Sequence, residues 1–181
     1  MISTKKAQMQ MSVGTIVTIV LLMTVLILGL VLVRTIFRSA TGAVDLTDQQ
    51  LRNEIQKLFS EEKKLIIYPN SRLIEIKQEK INGAGIGIKN LVLGSSGSNS
   101  FSYEINVEDS SKCGNVDVED WIEVGKKADN IPLAVGEFTS IKVLFRIPTG
   151  APLCISRFRV NVKIDGNDYA TDFFDISVKP K

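Results

Sequence analysis

The chain has 181 residues but no histidine, only two cysteines and one tryptophan, and no acidic residue before Asp45. Without histidine, Ser-His-Asp and Cys-His nucleophile sets are excluded, and so is a His/Cys zinc site. No CxxC pair is present, and no N-x-[ST] sequon marks a standard N-glycosylation site. The glycine-rich stretch GAGIGIKN lacks the GK[ST] ending and the following helix of a phosphate loop. No Lys/Arg stripe is interleaved with aromatics, so nucleic acid is not an expected partner. Nothing in this inventory gives catalytic residues, a cofactor site or a metal site, and the expected function is non-enzymatic.

Two acidic stretches test that reading. Asp117, Glu119 and Asp120 form a tight cluster that is conceivable as a Ca²⁺ site, because hard cations want several oxygens. A solvated loop explains the same residues. DGND, at residues 165–168, looks superficially like a metal loop. Between two strands it reads as a hairpin turn, with Gly166 and Asn167 at the positive-φ positions.

Charge is unevenly placed. Of 22 basic residues, Lys5, Lys6, Arg34 and Arg38 precede Asp45, leaving 18 bases against 20 acids, a balance of −2. The basic pI therefore reflects residues that flank the stretch SVGTIVTIVLLMTVLILGLVLVR. Within it, residues 13–33 carry no charge and no proline, and as a helix they span roughly 30 Å, enough for a bilayer core. Threonines there can bond to their own helix. A removed secretory signal is the competing reading, but its apolar core is typically ~7–15 residues and is followed by a small-residue cleavage site. Here Arg34 and Arg38 intervene before SATGA.

Flanking charge leaves orientation near a tie. Cys113 and Cys154, beyond the apolar helix, suggest one disulfide on the oxidising side, with two buried free thiols as the alternative. The disulfide tips the balance towards a cytoplasmic N-terminus and an extracytoplasmic C-terminal domain. Trp121 lies between the cysteines, but only eight positions after Cys113, so antibody-type disulfide geometry is not expected.

The rest of the chain divides by pattern. Residues 1–12 read as a short cytoplasmic tail, 13–33 as a transmembrane helix, 34–64 as a linker and amphipathic helix, and 65–181 as a β-domain. Thr47 and Gln50 have capping-box spacing, and Leu51, Ile55, Leu58 and Phe59 recur at helical spacing. This stripe is expected to pack on the β-domain; lying on the membrane or pairing with another copy are the alternatives.

From Leu65 the period changes to two, as in FSYEINV, IKVLFRI and CISRFRVNVKI. Further strands are expected at about 72–79, 83–92, 118–124 and 168–178. The fold class is mainly β, an immunoglobulin-like antiparallel β-sandwich of about seven strands behind the two helices. Gly83, Gly85 and Gly87 leave one face of a strand bare, and this face is a candidate contact strand for another backbone or a sugar ring.

KKAQMQMSVGTIV resembles the N-termini of archaeal type IV pilin-like proteins. That resemblance implies that Lys5 and Lys6 are the basic pair of a class III signal, with processing between Ala7 and Gln8. The layout of one N-terminal helix before a β-sandwich also resembles the archaellum stator proteins and other small archaeal surface proteins. Two functions are therefore carried forward. The first is a single-pass cell-membrane protein whose outer domain binds or scaffolds a protein partner in the cell envelope. The second is a pilin-like subunit that self-assembles into a surface filament. Membrane lipid is a partner in the first reading.

Overall fold

A computed structural model describes residues 13–38, 45–59, 62–93 and 97–181. Two units separate in it, Met1–Ser39 and Ala40–Lys181. Residues 5–8, with the expected processing site, and residues 39–44 of the expected linker lie outside the described residues.

The first unit holds α1, Val13–Arg38. Its stretch Gly14–Leu32 is long and apolar enough to cross a membrane, and none of it is buried. At 26 residues the helix is about 39 Å long, five residues longer than the charge-free run. Thr18 Oγ1 donates to Gly14 O at 2.7 Å and Thr24 Oγ1 to Leu21 O at 2.8 Å, so these hydroxyls are satisfied within the helix.

In the second unit, α2 (Asp48–Leu58) precedes nine strands: β1 Leu65–Tyr68, β2 Leu73–Lys77, β3 Ile81–Lys89, β4 Ser98–Asp109, β5 Ile122–Val124, β6 Lys127–Ala134, β7 Phe138–Arg146, β8 Ile155–Ile164 and β9 Asn167–Lys179. They form two sheets, ordered β1-β3-β7-β5 and β2-β9-β8-β4-β6. In space this matches the A-B-E-D and G-F-C-C′ sheets of a variable-type immunoglobulin sandwich. Chain order departs from that plan, because the edge strand β5 comes before the opposite edge strand β6.

Alternation builds the core. Ala84, Ile86 and Ile88 of β3, Val143 and Phe145 of β7, and Phe158, Val160 and Val162 of β8 are all buried between the sheets. Phe145 meets Phe158 edge-on at 5.1 Å between ring centroids, and Phe158 stacks on Phe174 at 5.7 Å. Burial of such rings supplies much of the hydrophobic stabilisation of a domain this size.

Three expectations need correction. Among the described residues there are nine strands, not about seven, the additional two being β1 and β6. The burial pattern of β1 shows no alternation, since three of its four residues are buried. β6 is an edge strand containing Pro132, where no apolar alternation is required. The sandwich is also not wholly antiparallel. After β1 the chain crosses sheets through the cis Tyr68–Pro69 peptide, and β2 then runs parallel to β9. Finally, the stretch 118–124 is a 3-10 turn, Glu119–Trp121, followed by the three residues of β5.

Candidate functional site

The glycine strand is covered by the chain's own helix. Thr47 and Gln50 make the capping box that starts α2, and Leu51 and Ile55 are buried on the outer face of the first sheet. A Cβ added at Gly85 would stand 2.5 Å from Leu51 Cδ1, and one at Gly87 only 2.3 Å from Ile55 Cγ2. The bare face is thus the seat that lets a helix approach a sheet closely. Phe59 and Phe138 close one side at 5.4 Å, and Arg52 lies 4.9 Å over the Phe138 ring. Lys142 Nζ donates to Leu46 O at 2.5 Å. The expectation that Gly85 and Gly87 await a foreign backbone or sugar ring is corrected: helix and sheet compete for the same volume, and the helix holds it. Gly83 serves a different contact, since its added Cβ would meet Val143 O of β7 at 2.0 Å.

Cys113 and Cys154 are bonded, with 5.2 Å between their Cα atoms. Both are buried, and neither lies in a strand: Cys113 ends a 3-10 turn after β4 and Cys154 immediately precedes β8. Trp121 is buried in the same core.

The acidic stretches are structural where they are described. Glu119 pairs with Lys126 at 2.7 Å, and Asp117 Oδ1 accepts from Glu119 N at 3.0 Å. The hydrogen bond from Lys126 to Glu119 pushes the Lys126 ammonium above its usual range. Among the described residues, no group of three His, Cys, Asp or Glu gathers as metal ligands. The 165–168 stretch is a two-residue hairpin turn, but its positive-φ pair is Asp165 (49°) and Gly166 (84°), one position earlier than expected. Ile164 and Asn167 already pair across the ladder, and Asp165 Oδ1 accepts from Ser100 N at 3.1 Å, which fixes the turn there.

The outer face of the five-stranded sheet was not singled out from sequence. Towards β2 and the start of β8 several of its charges are paired. Arg157 is bidentate on Asp175 at 2.7 and 3.0 Å, Lys179 meets Glu75 at 3.0 Å, and Arg159 donates to Glu108. Phe173, 44% exposed, has Arg157 over its ring at 4.7 Å. Towards the other end of β8 the same face opens into a groove of about 410 Å³ across β6, β4, β8 and β9. Its lining includes Ser102, Glu104, Lys127, Asp129, Lys163 and Asp168. Beneath it, Tyr103 donates its hydroxyl to Gly125 O at 2.9 Å, and burial pushes that phenol above its usual range.

No protein-family model matches the chain, and no curated protein matches it. Among solved structures it is similar to a family 123 glycoside hydrolase from Clostridium perfringens, at 13% identity and a TM-score of 0.44 over 73% of this chain and 24% of that one. It is also similar to a Pseudomonas fluorescens alkylpurine DNA glycosylase bound to DNA, at 14% identity and a TM-score of 0.33 over 62% of this chain and 29% of that one. The chain spans about a quarter of the length of each, and neither likeness bears on what it does.

Proposed function

We propose that this chain is a single-pass membrane protein with its N-terminus in the cytoplasm and its β-sandwich outside, acting as a non-enzymatic binding or scaffolding module. The observation that carries the reading is α1: Gly14–Leu32 is long and apolar enough to cross a membrane, and none of it is buried. Such a surface is stable in lipid and costly in water. The Cys113–Cys154 bond supports an oxidising compartment for the sandwich. In chain order α2 follows α1 and precedes the strands.

The test is extraction and mass. The full chain should stay with membranes through alkaline carbonate washing, and protease added outside sealed cells should digest the sandwich. Release by carbonate, or free thiols in protein isolated without reductant, would sink the anchor and the orientation respectively. The N-terminal mass separates the pilin-like alternative, which the KKAQ stretch favours. An intact start fits the anchor, whereas a start at Gln8 would mean processing and a helix destined for a filament.

A further inference from the structure

The groove on the five-stranded sheet is built by two β-bulges. In β6, Phe101 pairs with Ile131 and Tyr103 with Ala128, so Asp129 and Asn130 together oppose Ser102. Asn130 takes the positive φ, 57°, that this extra residue demands. In β9, Val162 pairs with Ala170 and Lys163 with Asp168, leaving Tyr169 as the inserted residue. The Tyr169 ring turns inward onto Phe101 at 5.1 Å, and its hydroxyl donates to Lys89 O at 2.8 Å. The bulged strands flank the central β4–β8 pair on either side. Bulges re-aim side chains, and these two converge on one place.

Their effect is a two-row array. Asp168, Lys163, Ser102 and Asp129 cross the sheet in one row, and Asn161, Glu104 and Lys127 form the next. Neighbouring groups in a row stand one strand apart, ~4.8 Å. That step is close to the advance of one pyranose ring along an extended glycan. Among the described residues, none of Glu104, Lys127, Asp129, Lys163 and Asp168 makes an ion pair or a side-chain hydrogen bond, whereas Arg157, Arg159 and Lys179 on the same face are paired. Three carboxylates and two ammoniums thus face one groove, with Glu104 also within electrostatic reach of Lys126.

We propose that this groove binds a neutral glycan strand. A sugar hydroxyl both donates and accepts, so a carboxylate beside an ammonium satisfies it on both counts. Charge-assisted hydrogen bonds of this kind are the strong ones. A polyanion is disfavoured by the excess of carboxylates. A protein partner fits poorly, because Lys, Asp, Glu and Ser are depleted from the cores of protein interfaces. The inference names the ligand class for the binding module proposed above. It rests on that reading only for its source of glycan, because the binding assay itself does not depend on which way the domain faces.

The experiment is calorimetric titration of the full chain, held in lipid nanodiscs free of sugar-headed detergent. The probes are chitohexaose, cellohexaose and mannohexaose. At least one should bind. Lys163→Gln and Asp129→Asn, charge-removing changes at exposed sites, should each weaken it at least about tenfold with an unchanged unfolding midpoint. Arg159→Gln, in the paired half of the face, should leave it unaltered. The proposal is overturned if no probe binds, if binding survives both groove variants, or if unfolded casein binds the groove in place of the oligosaccharides.

Discussion

The two outer faces of the sandwich solve the same problem in opposite ways. One carries Gly85 and Gly87 and is roofed by Leu51 and Ile55 of α2. The other carries Arg157, Arg159, Glu104 and Lys163, and α2 packs instead on β1, β3 and β7. A sheet face is stable either by burying apolar surface beneath a neighbour or by meeting water with charge. Glycine on the first face leaves room for the neighbour, and charge on the second keeps neighbours specific. The contrast teaches that an unadorned strand face in this chain marks an internal contact, whereas the ornate one is what remains for the outside.

The sharpest way to break the contrast is to fill the seat. Gly87→Val places carbon where Ile55 Cγ2 and the Phe59 ring already stand, 2.3 and 3.0 Å from the new Cβ. Either α2 lifts or the strand shifts. The expected cost is about 3 kcal/mol, combining overpacking with lost burial of Leu51 and Ile55. Denaturant unfolding measures the loss, and faster protease cleavage within residues 45–59 locates it. Unchanged stability with an intact helix would mean that α2 does not sit where its burial places it.

The opposite face should be forgiving. Arg157→Gln removes a bidentate bond to Asp175, but both side chains are partly exposed, at 45% and 27%. Solvent screening keeps the loss well below that of Gly87→Val. A loss as large as that of Gly87→Val would erase the difference between roofed and open faces. Part of any effect would be packing, because the Arg157 guanidinium also covers the Phe173 ring.

How much of this was written in the sequence follows the same division. The helical spacing of Leu51, Ile55 and Phe59 announced an apolar stripe, and GAGIGIK announced a bare strand. Nothing local says that the two belong together, because their match is one of shape between segments about thirty residues apart. β1 was silent for a related reason: a strand buried by the core on one side and by α2 on the other loses its alternation. The groove was less legible still. KADN and DGNDYA are ordinary polar stretches, and their bulges exist only relative to the registers of β4 and β8. The cysteine pair was legible because a cross-link needs only two residues and an oxidising side.

The smallest expected effect is a pH dependence shared by both faces. Tyr68 packs against the Leu51–Ile55 cluster, Tyr103 lies under the groove and Tyr169 sits at the β9 bulge. Burial is the main cause that holds all three phenols above their ordinary value of 10.0. A folded-state value above the unfolded one means stability fully present below the unfolded value and lost as pH rises through the folded one. Unfolding followed between about pH 9 and 11 should therefore show a progressive decline. Tyr103→Phe should flatten part of it, because that ring has no proton to lose, at the cost of the hydrogen bond to Gly125 O. The groove variants Lys163→Gln and Asp129→Asn should leave the slope unchanged, since they touch no phenol. A flat profile in the parent chain would mean that these hydroxyls are no better shielded folded than unfolded, and the inner layer beneath the open face would then be wetter than its packing implies.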